Sequence, residues 1–412
     1  MSTSVISTSR ARRRISPSAK SGNRPWSVFG TSIKSAPRPK FKMVSMFSGC
    51  GGADLGLRFA GFDILWANDI DAAACETYTQ NIGNIKCDDI REIKLPRLKE
   101  KNIDLLAACF PCQSFSNAGI RRGTEDENGK LLNDWAICAV GHFKPKVVLF
   151  ENVRGMLSIK DGGELLIKKI CDKLKRRGYH AYLRLVDASK HHVPQKRIRV
   201  FIVGVRIDTG LGEFEFPAAD GMDELTLGHT IMDVPKKAPN QVNKISLGPS
   251  AALMCENIPE GGSWKDIEDK HLSKRFIYIR RHPEKYRAPN FYRCFGRNEI
   301  AGTITASFKP EHSGVLHPTE DRVYSVREAA RIQSFPDWFK FYGGGTAAMC
   351  RQVGNAVPPR LAYEIGHAIS ELLSGKSVKK ASEKITLSQF LKEKRPLRLS
   401  DLTIKHEKRK IS

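Results

Sequence analysis

From residue 43 onward, short apolar runs alternate with stretches whose apolar residues recur at helical spacing. The pattern predicts strands at 43–47, 62–67, 103–108 and 147–150, around 182–186 and at 200–205. Helices are predicted between them at 53–60, 72–80, 131–143 and 163–177. Alternation of this kind yields an α/β fold, a twisted and mostly parallel sheet with helices on both faces. Between about 206 and 305 the periodicity breaks down and Gly, Pro and Asn accumulate, which predicts a second, irregular region of short elements. Residues 327–336 read as a short helix ended by proline, a scaffold more than a site, and 361–373 as an amphipathic helix. In the lysine-rich tail from Gly375, residues 385–391 have the makings of one more short helix.

Charge changes the picture at both ends. The chain has 412 residues, room for two or three domains, and a formal charge of +24. That excess calls for a polyanionic partner, with nucleic acid the first candidate and an acidic membrane surface the second. Residues 1–42 are rich in Ser, Arg, Pro and Lys, and no acidic residue precedes Asp54. Such a segment is expected to be disordered: an arm that follows phosphates, a solvated tail or, third, a transit peptide. No apolar run of about eighteen residues and no signal core occur, so a soluble intracellular protein is expected. Ten cysteines without framework spacing fit a reducing compartment.

Candidate chemistry gathers where predicted strands end. The strand at 103–108 runs into Cys109-Phe110-Pro111-Cys112-Gln113-Ser114-Phe115-Ser116. A thiol at the C-terminal rim of a parallel sheet sits where ligands bind, so Cys112 reads as a positioned nucleophile. The Cys109–Cys112 pair is also compatible with a redox dithiol, and either cysteine with a small buried hydrophobe. A zinc site is disfavoured, because C-x-x-C has no partner pair. The first strand leads into Phe47-Ser48-Gly49-Cys50-Gly51-Gly52, glycines that let backbone amides approach a ligand, with Asp54 where a dinucleotide motif has its third glycine. Asp69, about twenty residues on, suits ribose hydroxyls, and Asp89 with Ile90 suits an adenine edge. Together these point to an adenosine-containing cofactor whose other end is a carboxylate. Glu151 ends the strand at 147–150 and reads as a general acid or as a helix cap. Arg197 and Arg199 share a face if their segment is a strand, and suit a phosphate or carbonyl oxygen. From Trp264 to Arg297 aromatics alternate with cations, a pattern that fits a DNA surface or a charge-rich helix face.

In this order, FSGCGGADLG, DLLAACFPCQSFS, ENV, QKRIRV, REAARIQSFP and QVGNAVPP resemble the DNA (cytosine-5)-methyltransferases. The match covers roughly 43–205 and 320–365; the tails lie outside it. The resemblance implies a Rossmann-like S-adenosylmethionine-dependent domain over 43–212, completed by 345–375. It also implies a smaller target-recognition domain over 213–344, leaving 1–42 and 376–412 as basic tails. Cys112 would attack carbon 6 of cytosine, Glu151 would act at N3, Arg199 would contact O2 and Arg197 would help hold the nucleotide. Phe47 would pack on adenine and the main chain of Ser48, Gly49, Cys50 and Gly51 would meet the methionine portion. Asp69 with Ile70, and Asp89 with Ile90, would hold ribose and adenine, although members of the family usually carry Glu where Asp69 stands. Asn355 and Ala356 would border the cofactor, Asn355 also steadying the arginine strand. Gln113, Ser114 and Ser116 would touch DNA, and the target base would be flipped. The resemblance implies double-stranded DNA as partner, no metal, a monomer, and a cytoplasmic, nucleoid-associated prokaryotic enzyme, solitary or paired with an independent restriction endonuclease. A dithiol oxidoreductase and a non-catalytic DNA-binding module are the rivals.

Overall fold

The computed structural model describes residues 24–100, 102–110, 135–219, 225–282 and 290–376, and the backbone of two short strands near the C-terminus. The chain opens with β1 (Phe41–Met46), α1 (Gly52–Phe59), β2 (Phe62–Asp69), α2 (Ala72–Asn81), β3 (Lys86–Cys87) and β4 (Leu105–Ala108). There follow α3 (Ile137–Phe143), β5 (Val147–Val153), a two-stranded hairpin of β6 (Lys160–Asp161) and β7 (Glu164–Leu165), α4 (Leu166–Arg176), β8 (Tyr179–Asp187) and β9 (Ile198–Arg206). The irregular region holds α5 (Leu227–Ile231), α6 (Pro249–Asn257) and α7 (Lys274–Arg281), and the chain returns through α8 (Val326–Ile332), α9 (Gly345–Asn355) and α10 (Pro359–Leu373). The last strands are β10 (Lys384–Thr386) and β11 (Thr403–Lys405).

The main sheet has nine strands in the order β10-β11-β8-β9-β5-β4-β1-β2-β3. β3, β2, β1, β4 and β5 run parallel to one another. β9 enters beside β5 in the opposite direction and pairs antiparallel with β8 as well. Alternation along each strand sorts side chains to two faces. Met43, Leu105, Leu149 and Val203 pack under α1 and α10 through Leu57, Leu361, Ile365 and Ile369. Their neighbours Val44, Leu106, Val148 and Ile202 pack under α3 and α4 through Val140, Phe143, Ile170 and Leu174. The expected sheet with helices on both faces is thus the observed one.

A third core joins the sheet's flank to the irregular region, with Leu55 and Phe59 of α1, Trp264, Phe291 and Tyr324, and the sequential aromatics Phe335, Phe339 and Phe341. The 327–336 scaffold lies inside it. Ser325 and Glu328 form a capping box at the start of α8. Arg327 is buried and donates to the carbonyls of Pro239, Pro336 and Phe339.

Two expectations about the tails are corrected. Residues 24–42 are not a free arm: Trp26 and Phe29 are buried. The Phe29 ring meets Phe59 edge-on at 5.2 Å, and Trp338 donates its indole N–H to the Phe29 and Gly30 carbonyls. Arg331 lies over the Trp26 ring at 5.0 Å, and Arg24 pairs with Asp233. Two large rings outweigh a polar context once a seam between helices is there to receive them. The proposed helix at 385–391 is also corrected, since residues 384–386 form a strand that pairs in parallel with 403–405. Isoleucine's branched side chain favours strand where an edge is available. Residues 1–23 and 387–391 lie outside the described residues.

Candidate active site

Register brings the strand ends to one rim. Met46 lies opposite Asn68 and Ala108, and Ala108 opposite Phe150, so Phe47, Asp69, Cys109 and Glu151 all emerge at the same edge. Antiparallel β9 starts at that edge, where Arg199 pairs with Val153. Cys112, Gln113, Ser114 and Ser116 lie outside the described residues. Phe110, two positions before Cys112, is buried and meets Phe150 edge-on at 5.8 Å. Burial drives the Cys109 thiol well above the usual thiol range, with the Glu151 and Asp54 charges adding to it. Cys109 packs at the strand end as a neutral group.

Glu151 and Arg199 form the polar centre of the rim, Nε to Oε1 at 3.2 Å, both side chains largely buried. Burial raises the Glu151 carboxyl above its ordinary value, while Arg199 and then Arg197 pull it back. A carboxyl poised this way can keep its proton and donate it to a ring nitrogen.

Arg197 is held by backbone carbonyls from distant parts of the chain. It is buried and its guanidinium donates to the Ile304 carbonyl at 2.8 Å and to those of Gly354 and Ala356, each at 3.0 Å. These bonds make it a bracket between the start of β9, the segment at Ile304 and the C-terminal end of α9. Asn355 is exposed, and the carbonyls on either side of it, of Gly354 and Ala356, accept from Arg197. Sequence reasoning missed two partners of this bracket. Gln195 donates to Gln333 Oε1 at 2.6 Å and accepts from the Ile304 amide at 3.0 Å. Gln333 donates in turn to the Val353 carbonyl at 2.7 Å. Glu364 on α10 accepts from His191, His192 and Arg360, fixing the turn that leads into β9. Nothing local in the sequence separates these residues from ordinary surface polar groups.

The bracket is tight enough to test. A Cβ on Gly354 would stand 2.2 Å from the Thr305 carbonyl carbon. Gly354→Ala is expected to cost about 1–3 kcal/mol in urea unfolding through forced backbone displacement, and to lower activity with it.

On the cofactor side, Ser48 donates its amide to the Asn68 carbonyl at 2.9 Å, and Asp69 accepts from the Gly49 and Asp71 amides at 2.7 and 2.9 Å. Phe47 has a left-handed φ of 55°, which turns the chain sharply out of β1. A Cβ on Gly49 would meet nothing within 4 Å, so the loop borders open space. Ile70 beside it is 64% exposed, a large apolar side chain turned mostly to solvent. Open space, an acid and a bare apolar side chain suit a ribose and a purine face. Asp89 pairs with Arg91, whereas Ile90 is buried in the sheet core, giving backbone more than side chain to a ligand. Cys50 is buried, with its thiol pushed up to about 12 first by burial and then by Asp69. Ala356 is buried at the seam.

Asp54, read as the departure from a dinucleotide motif, is a buried hub. It accepts from Ser45 Oγ and Tyr78 Oη, each at 2.7 Å. Burial raises its carboxyl from 3.8 to about 6, against the lowering effect of Ser45, Tyr78 and Ser48. The folded state therefore holds a proton that the unfolded state releases between those values, so this group's penalty grows as pH rises from 4 to 6 and is complete above 6. Asp54→Asn, which keeps one of the two acceptor oxygens and removes the charge, is expected to flatten that limb, gaining up to roughly 3 kcal/mol at pH 7 relative to pH 4. Urea unfolding at the two pH values checks it.

The aromatic–cation stretch is mostly folded inward. Trp264, Phe291 and Tyr292 are core residues, and Arg280, Arg293 and Arg297 bond to Asp269, Glu299 and Glu260. Lys274, Arg275, Tyr278 and Arg281 remain exposed, and Tyr286 and Arg287 lie outside the described residues. Among the described residues no helix is long and apolar enough to cross a membrane.

Solved structures sharing this fold are methyltransferases. A DNA modification methyltransferase encoded within an E. coli prophage aligns at TM-score 0.56 and 23% identity, covering 81% of this chain and all of its own. The S. pombe Dnmt2 methyltransferase aligns at 0.54 and 17%, covering 81% and 99%. They share the fold described above, helices on both faces of a mostly parallel sheet. The family described as C-5 cytosine-specific DNA methylase matches residues 41–371, and the chain belongs to that family. Type II methyltransferase M.NgoFVII of Neisseria gonorrhoeae is 35% identical over 371 residues, 88% of this chain and 94% of that protein. Type II methyltransferase M.FnuDI of Fusobacterium nucleatum is 34% identical over 357 residues, 84% and 99%. The protein is a DNA (cytosine-5)-methyltransferase.

Proposed function

We propose that this enzyme methylates carbon 5 of one cytosine in a specific double-stranded DNA sequence through a covalent bond from Cys112 to carbon 6. The observation that carries the reading is the buried Glu151–Arg199 pair on the rim reached by the strand before Cys112. The Cys112 thiolate adds to carbon 6, the carbon 5–carbon 6 electrons move toward N3, and Glu151 quenches that charge by giving its proton. Arg199 holds O2. Carbon 5 of the enamine then takes a methyl group as the N3 proton returns to Glu151; carbon 5 later loses its own proton to water, the carbon 5–carbon 6 double bond re-forms, the bond to sulfur breaks and Cys112 leaves as thiolate. S-adenosylmethionine supplies an electrophilic sulfonium methyl. Asp69 and Ile70 would hold its ribose and adenine, the 47–51 loop its methionine end, and Asp89, Ile90 and Ala356 its border. Gln113, Ser114 and Ser116 would contact the flipped nucleotide and its neighbours.

In this reading residues 43–212 and 345–375 form the catalytic domain and 213–344 the target-recognition domain, with residues 24–42 docked onto both. The enzyme acts as a monomer in a prokaryotic cytoplasm at the nucleoid, alone or beside an independent restriction endonuclease. Bisulfite sequencing of DNA from a host expressing the chain tests this at once. Protected cytosines in one recurrent sequence are expected; full conversion everywhere contradicts it.

A further inference from the structure

A pair of thiols lies beside the acid assigned to the cofactor's ribose. The Cys75 thiol in α2 donates to the Asp69 carbonyl at 3.6 Å. The amide of Asp88, one residue past Cys87, donates to that same oxygen at 3.1 Å. Cys87 lies directly opposite Asp69 in the β2–β3 pair. Both residues thus meet the end of β2 at Asp69, and the Cys87 side chain, hydrogen-bonded to that of Cys75, ranks next after burial among the influences that raise the Cys75 thiol. Cys75 is buried and Cys87 exposed, so one member of the pair meets solvent and the other stands behind it.

We propose that Cys75 and Cys87 are a peroxide-sensitive thiol pair whose disulfide weakens cofactor binding at Asp69. The inference rests on Asp69 as the ribose contact. Hydrogen peroxide oxidises the Cys87 sulfur: the O–O bond breaks, one oxygen stays as sulfenic acid and the other leaves as water. The Cys75 sulfur displaces that oxygen, the S–S bond forms, and the Cys75 proton leaves with the hydroxyl as a second water. Two thiols are oxidised and one peroxide reduced to two waters. The second step is the slow one, because Cys75 is held as a neutral thiol. Sulfurs at bonding distance, about 2.05 Å, draw β3 against the first turns of α2. α2 through Cys75 and the chain just past β3 through the Asp88 amide both bond the carbonyl of Asp69, whose carboxylate also anchors the Gly49 amide. Strain there moves the acid and the glycine loop together.

The test uses the full chain carrying Cys112→Ser, so that oxidation of Cys112 cannot intrude. After peroxide, a non-reduced digest should contain a linked Cys75–Cys87 peptide. Calorimetric titration with S-adenosylmethionine should show affinity about tenfold weaker. A thiol reductant should reverse both, and adding Cys87→Ser should prevent both while leaving the reduced affinity unchanged. Oxidation of Cys87 alone without the link, or a link with unchanged affinity, overturns the proposal. A reduced chain that fails to bind S-adenosylmethionine at all contradicts the cofactor assignment as well, whereas a reduced chain that binds and an oxidised chain without the link contradicts this inference alone.

Discussion

Glu151→Gln is expected to lower kcat by about a hundredfold to ten-thousandfold, the usual worth of a positioned proton donor, with KM for DNA little changed. Glutamine fills the same space and can still hydrogen-bond a ring nitrogen, but it has no proton to give. Burial raises the wild-type carboxyl, so the uncharged form is the one the fold favours. In stability terms the sign is clear. A raised carboxyl penalises the folded state above its folded pKa, and that penalty fades as pH falls, so the glutamine variant should not unfold more easily at neutral pH. In activity terms, wild-type turnover should fall as pH rises through the raised pKa, and the variant should lack that limb. Single-turnover kinetics across pH check both. A variant retaining wild-type kcat would remove Glu151 from the chemistry.

Arg197→Met should behave in the opposite way. Three buried carbonyls, on Ile304, Gly354 and Ala356, would lose charged donors at once. The expected cost is about 3–5 kcal/mol, since unsatisfied buried acceptors pay their full desolvation. Urea unfolding reads that loss directly. Arg199→Met lacks comparable bonds to distant backbone and should spare stability while removing activity. If Arg197→Met were as stable as wild type yet inactive, Arg197 would be a substrate contact and the bracket would be secondary.

These two arginines show where sequence reasoning reaches and where it stops. Both stand in QKRIRV, Arg197 just before β9 and Arg199 within it, and the motif gives them equal standing. What separates them is a set of partners more than a hundred positions away along the chain, which spacing does not encode. Gln195, Gln333 and Glu364 went unnoticed for the same reason. The sheet, by contrast, was legible, because each strand is a short apolar run whose alternate residues serve two faces. The rim followed from it: once the strands are parallel, every strand end collects at one edge, and Glu151 and Asp69 fall there without further information. Asp54 carried a signal that pointed elsewhere. An acid where a dinucleotide motif has its third glycine reads as a departure from that motif, and only the approach of Tyr78 and Ser45 shows it as a buried hub. Trp26 and Phe29 were hidden by their surroundings, two rings in a segment whose composition is that of a solvated tail. The cations of 264–297 misled in the reverse sense, since Arg280, Arg293 and Arg297 are spent on nearby carboxylates.

The central claim is that Cys112 attacks the cytosine ring, and trapping tests it most directly. Duplex DNA carrying 5-fluorocytosine at the methylated position blocks the final proton loss at carbon 5, because fluorine cannot leave as a cation. With S-adenosylmethionine present, the enzyme should become covalently joined to that DNA through Cys112, and Cys112→Ser should yield no adduct. An adduct that survives Cys112→Ser, or one mapped to Cys109, would contradict the account.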